Sequence, residues 1–191
     1  STDKRISKMK AYKYADRLID LAQKSYPAVS GDAIQVEEVR YYARQLIALT
    51  RKREEVIKRM ESIAQRLPEY ILYCSFPGIG KQTAAQLMGE LGDISRFDNA
   101  NQLNAFVGID IRRYQSGTYL GQDHINKRGN PIARKLLYFT VGNMIRQQHA
   151  NSNHIVDYYY RLKEKRPHPK LNKVAMVACM NKTLKCLLSM I

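Results

Sequence analysis

Ser116 stands in the stretch Tyr114-Gln115-Ser116-Gly117. Arg112 and Arg113 come just before it, and Lys127, Arg128 and Arg134 follow. A serine hydroxyl is a poor nucleophile until a base or a strong field assists it. The five cations supply such a field: they can hold phosphate oxygens and stabilise the charge that builds in a transition state. Asp110, Asp123 and His124 are candidate bases, and their spacing singles out none of them. Composition alone favours a turn serine on a basic surface.

A second constellation is Pro77-Gly78-Ile79-Gly80-Lys81. Two glycines let a backbone turn sharply and come close to a ligand. The N–H groups that open the next helix then face outward, where the helix dipole favours an anion. Lys81 adds a charge at that spot. The pattern has the form of a helix-hairpin-helix that grips a DNA or RNA phosphate without reading sequence. The plainer alternative is a tight turn that only packs.

The elements that must position these groups read as helices. Residues 4–25 carry Ile6, Met9, Leu18 and Leu21 at helical spacing, and Pro27 and Gly31 break them off. Asp32 is placed to cap the next helix, with Gln35 three residues on. There Val39, Tyr42, Leu46, Leu49, Arg53, Val56, Met60, Ile63 and Leu67 alternate steps of three and four, the coiled-coil pattern. Pro68 ends a helix of roughly 50 Å, expected to self-associate through residues 33–67. Pairing with residues 4–25 is compatible with that.

From Glu69 the pattern is helix, tight turn, helix, with Ala84, Ala85, Leu87 and Met88 on the buried side. Asp98 is placed to cap a short helix ending at Phe106. Residues 107–128, bounded by Gly108 and Gly129, read as a long ordered loop with room for a β-hairpin around Ser116–Gly117; such loops are usually functional. Asn130 and Pro131 open a helix to about Ala150, and helices follow over 153–165 and 170–190. The expectation is a mostly α-helical chain, a long coiled-coil helix plus a compact helical domain with a helix-hairpin-helix and a glycine-rich catalytic loop. Its segments are 1–32, 33–68 and 69–191.

Charge names the class of partner. The formal net charge is +15, and residues 109–191 carry 15 Lys/Arg against 4 Asp/Glu. A polyanion is the expected ligand of that half. No apolar run is long enough for a membrane span, and no signal peptide is visible. Cys74, Cys179 and Cys186 lack CxxC spacing and read as reduced, mostly buried thiols of a cytosolic protein. The four histidines show no metal-ligand spacing. Tyr158–Tyr160, followed by Lys163, Lys165 and Arg166, can stack bases and hold phosphates, although Tyr159 reads better as core and the rest as a solvated charge run. Met176, Met180 and Met190 read as a buried stripe. The chain opens on Ser1, through removal of Met or as a piece of a longer protein.

From Phe76 onward the chain resembles the C-terminal domain of the insertion-sequence 110 family of transposases, the IS116/IS110/IS902 group. The resemblance rests on three stretches: "PGIGKQTAAQLMGELGDISRFDNANQLNAFVGI", "YQSG" and "HINKRGNPIARKLLY". It covers about 115 residues in order. It departs at Asn126, where the family commonly has serine, and in the residues before Gln115. The N-terminal "STDKRISK" resembles the end of the family's RNase H-like domain, with Asp3 at one metal-binding position and Ile6 where a second acid is expected.

That resemblance implies a DNA transposase or recombinase in which Ser116 attacks a DNA phosphodiester and forms a phosphoserine link. A structured noncoding guide RNA would choose the DNA partners, and a dimer or tetramer would form through residues 33–67. Gly78, Gly80, Lys81, Arg112, Arg113, Gln115, Lys127, Arg128 and Arg134 would contact nucleic acid. No cofactor is expected in this chain; Mg2+ would belong to the missing RNase H-like domain. The isolated chain would then be inactive, and the expected location is the bacterial or archaeal cytoplasm, near the nucleoid. Two other readings stay open: a non-catalytic DNA/RNA-binding and dimerisation module with an inert Ser116, and a helical RNA-binding accessory protein.

Overall fold

The computed structural model describes residues 8–26, 30–112, 115–116, 118–121, 124–150, 153–165 and 167–190. Asp3, Ile6, Arg113, Tyr114, Gly117, Asp123 and Arg166 lie outside the described residues. The chain falls into two units, residues 1–55 and 56–191. The fold is mostly α-helical, as expected.

In the first unit α1 (Lys8–Lys24) is exposed along its described side chains, and α2 (Ile34–Ala64) begins there. The start of α2 differs from expectation. It lies two residues beyond Asp32, whose carboxylate instead accepts the Ser30 hydroxyl. The 3-4 stripe is present but uncovered: Val39, Tyr42, Leu46 and Leu49 are each at least 64% exposed. An apolar stripe of that kind is what a helix presents to a partner helix.

The second unit holds the core. Helix α3 (Glu69–Ser75) turns through residues 76–80 into α4 (Lys81–Leu91), and a 3-10 turn (Ile94–Arg96) leads to α5 (Ala100–Val107). After a short β segment come α6 (Pro131–Arg146), α7 (His154–Glu164) and α8 (Asn172–Met190). Helix α8 packs against α5, α6 and α7 and buries Ala175, Met176, Cys179, Met180, Thr183, Leu184 and Leu187. Steps of one and three along that list make two rows of residues four apart, side by side on one broad face. Ala84, Ala85, Leu87 and Leu91 of α4 and Ala133, Leu137, Val141 and Met144 of α6 complete the core. Burying a Leu or Met side chain contributes about 1.5–3 kcal/mol, so these faces hold the unit together.

Three local expectations change. Asn99, not Asp98, caps α5: its side chain accepts from the N–H groups of Asn101 and Gln102 at 3.0 and 3.1 Å, while Asp98 pairs with the Gln102 amide. Met190 is exposed at the end of α8, unlike Met176 and Met180. Of the cysteines only Cys179 is fully buried; Cys74 and Cys186 are half-buried.

Candidate functional site

The segment carrying Ser116 rises from a footing made of two glycines. Gly108 ends α5 in the left-handed region at φ 76°. A Cβ on Gly108 would lie 2.6 Å from the Gly129 nitrogen, and one on Gly129 would lie 2.2 Å from the Phe106 carbonyl oxygen. Only glycine permits that approach. Lys127 N–H donates to the Gly108 carbonyl at 3.1 Å, Asn126 N–H to that of Asp110 at 2.9 Å, and Asn130 N–H to that of Phe106 at 2.7 Å. The two ends of the segment are thereby fastened together.

Helix α6 is anchored at the same corner. The Asn130 oxygen caps the N–H groups of Ile132 and Ala133, and Pro131 holds the first helical position. The Asn130 side-chain amide nitrogen donates to the Glu90 carboxylate at 2.8 Å. Arg134 donates from Nη1 to the Val107 carbonyl at 2.8 Å, which closes the end of α5. Glu90 was invisible as a participant in sequence, because its partner is 40 residues away.

Above this footing β1 (Ile111–Arg112) pairs antiparallel with β4 (His124–Ile125), matching Ile111 to Ile125 and Arg112 to His124. Inside that ladder β2 (Gln115–Ser116) pairs with β3 (Tyr119–Leu120), matching Gln115 to Leu120 and Ser116 to Tyr119. Ser116 thus ends β2 and is matched to Tyr119, the first residue of β3. Ser116 and Gln115 are exposed at this end.

Arg112, Lys127 and Arg128 are exposed as well, and Lys127 adopts φ 60°. Among the described residues, no lysine or arginine from position 109 on is ion-paired with a carboxylate. Their charge is available to an outside anion. Of the candidate bases, His124 is exposed. Asp110 points into the footing: Oδ2 accepts the Asn126 amide at 3.1 Å, and Oδ1 is buried with no hydrogen-bond partner among the described residues.

The turn between α3 and α4 divides its two glycines between separate jobs. Gly78 lies at φ 80°, and a Cβ there would be 2.9 Å from both Met144 Cγ and the Thr140 carbonyl oxygen. Its close approach is to α6. Gly80 has open space around it and precedes the first residue of α4. No side chain caps that end, and Lys81 is exposed there. Uncapped N–H groups at a helix start leave a place for an anion.

Tyr158, Tyr159 and Tyr160 are half-buried against the core; the Tyr159 hydroxyl approaches the Asn172 side-chain oxygen at 2.9 Å. Lys182 Nζ lies 5.0 Å and the Arg161 guanidinium 5.3 Å from the centre of the Tyr158 ring. Among the described residues no three His, Cys, Asp or Glu side chains group as a metal site would need. No helix among them is long and apolar enough to cross a membrane.

Comparison with known proteins gives a consistent set of likenesses. Residues 72–159 match the model of the transposase IS116/IS110/IS902 family. The transposase for insertion sequence element IS1111A of Coxiella burnetii is 41% identical over 63 residues, 33% of this chain and 17% of that protein. An insertion element IS110 protein of 43.6 kDa from Streptomyces coelicolor is 24% identical over 131 residues, 69% of this chain and 32% of its own length. The pilin gene-inverting protein of Moraxella bovis is 35% identical over 68 residues, 35% of this chain and 21% of that protein. The chain thus spans less than a third of the length of each of these relatives.

Proposed function

Because residues 72–159 match the model of the IS116/IS110/IS902 transposase family, we propose that this chain is the nucleophile-bearing part of a DNA transposase or recombinase, and that Ser116 is the nucleophile. The observation that carries the reading is the exposed position of Ser116 at the end of β2, matched to Tyr119 and within the family's matched stretch.

In the proposed step the Ser116 Oγ–P bond forms as one P–O bond to a sugar breaks. The hydroxyl proton passes to a base, and the departing sugar oxygen takes up a proton. The product is again a phosphodiester, so the reverse attack by a free DNA hydroxyl restores Ser116 and joins a new strand without further energy input. Arg112, Arg113, Lys127 and Arg128 hold phosphate oxygens through this exchange. Of the described candidates we assign the proton to exposed His124, since Asp110 is engaged at the footing.

The helix-hairpin-helix of α3 and α4 holds the DNA backbone through Gly80 and Lys81, while Gly78 fixes the turn on α6. Gln115 and Arg134 complete the nucleic-acid contacts. The stripe of α2 joins copies of the chain into a dimer or tetramer through residues 33–67, and a structured noncoding RNA chooses the DNA. A metal-binding, Mg2+-dependent domain belongs to the rest of the parent protein; no step above is routed through it.

The test is covalent trapping. The parent protein, its RNA and labelled element-end DNA are mixed and run on a denaturing gel beside the Ser116→Ala variant. The expected result is a DNA-shifted band that survives denaturation and disappears in the variant, with strand exchange reduced at least about a thousandfold and DNA binding retained. Recombination by Ser116→Ala at the normal rate would make Ser116 a turn residue and this chain a non-catalytic nucleic-acid clamp.

A further inference from the structure

A groove of about 350 Å3 opens between α6 and α8 and reaches β4 through Ile125. Tyr138 and Phe139 line it, each a little over a third exposed. Arg134, Lys135 and Lys173 also line it, and none of its lining residues is acidic. Lys135 Nζ lies 5.9 Å from the centre of the Phe139 ring. Lys135, Tyr138, Phe139 and Lys173 have no part in the proposed role of Ser116.

We propose that this groove holds one unpaired base of single-stranded DNA, stacked on Phe139 or Tyr138, with the flanking phosphates on Lys135 and Lys173. The inference rests on the transposase reading for the source of the strand. Size is the first argument. The volume lies near the lower end of the roughly 300–1,000 Å3 range of small-molecule sites, which suits a base and is far too small for a duplex. Composition is the second. Aromatic faces beside cations form the platform that single strands use, since each nucleotide offers a π-face and a phosphate together. Three cations without a carboxylate make a poor seat for a basic chain's own second copy.

Position is the third argument. Ile125 belongs to the ladder from which the Ser116 hairpin extends. Ser116 lies five residues beyond Ile111, the ladder partner of Ile125, a reach of at most about 18 Å. A strand cut at Ser116 is unpaired over the neighbouring nucleotides while it changes partners, and a few of them at about 3.4 Å each or more span that reach. The groove would keep such a base from re-pairing until the new partner strand arrives.

The experiment titrates the full 191-residue chain with a single-stranded oligodeoxynucleotide carrying 2-aminopurine, and with a labelled duplex of equal length. The expected result is a change of 2-aminopurine emission on binding. The double variant Tyr138→Leu, Phe139→Leu keeps apolar bulk at both positions. It is expected to lower single-strand affinity about tenfold and to change duplex affinity less than about twofold. Lys173→Gln is expected to weaken single-strand binding and flatten its salt dependence. Unchanged emission, or equal losses for single strand and duplex, would overturn the proposal. So would tighter binding of the matching oligoribonucleotide, or a double variant that alters only self-association in sedimentation. The Ser116 adduct has its own readout. An adduct without an emission response sinks the groove alone, and a response without an adduct sinks the catalytic reading alone.

Discussion

At the scale of single residues, Gly78 and Gly80 make a sharp contrast that one substitution each can measure. Alanine at Gly78 must adopt φ 80° and meet Met144 and the Thr140 carbonyl. Gly78→Ala is expected to destabilise the chain by about 1–3 kcal/mol, read as a drop of several degrees in the thermal unfolding midpoint. Gly80→Ala meets nothing within 4 Å at φ −87° and is expected to leave that midpoint in place. Lys81→Ala, also on the exposed side, is expected to leave the midpoint unmoved but to weaken duplex binding and lower its salt slope by about 1. The glycine pattern in the sequence announced the turn. It did not announce that α6, more than sixty residues on, packs on Gly78. Arg134 carries the same lesson: its charge was legible, its hydrogen bond to the Val107 carbonyl was not. Local signals were read more faithfully. Asn130 and Pro131 opened α6 as their chemistry requires, because a cap is satisfied within three residues. At Asp98-Asn99 two adjacent capping residues competed, and sequence alone could not rank them.

At the scale of elements, the stripe on α2 is the feature with the most unsatisfied apolar surface. Leu46 and Leu49 are 68% and 64% exposed. A double Leu46→Glu, Leu49→Glu variant is expected to shift sedimentation toward a smaller species while helical circular dichroism of the 56–191 unit persists. An unchanged sedimentation profile would remove α2 from the assembly surface. The periodicity of this helix was plain in the sequence, and Pro68 and the Gly31 region bound its length to within a few residues; the helix stops at Ala64, three residues before Leu67. The short strands were harder to read. Each ladder is two residues long, too brief for alternation of polar and apolar side chains to register; glycine placement alone pointed to a hairpin.

At the scale of the whole molecule, burial sets a limit on the alkaline side. The Cys179 thiol is pushed up to about 11 from 9.0, chiefly by loss of water around it, with Lys182 acting in the opposite direction. The Tyr73 hydroxyl moves the same way, through burial and then through Glu69. Below pH 9 both folded and unfolded chains keep the thiol proton. Between 9 and about 11 the unfolded chain releases it first, so stability falls as pH rises through that window. The unfolding midpoint is expected to decline there, and less steeply in Cys179→Ala. A thiol reagent added to the native chain is expected to modify Cys74 and Cys186 well before Cys179.

The back-to-back glycines at 108 and 129 have a consequence for how such a chain can change. They fix the distance between the two ends of everything that lies between them, and the helices beneath are held by other contacts. Closing a loop on a fixed pair of ends depends only logarithmically on its length; doubling it costs about 0.6 kcal/mol. The insert that carries Ser116 can therefore lengthen, shorten or be exchanged as a cassette while the scaffold keeps its form. Selection can rework the chemistry at the tip without renegotiating the stability of the base.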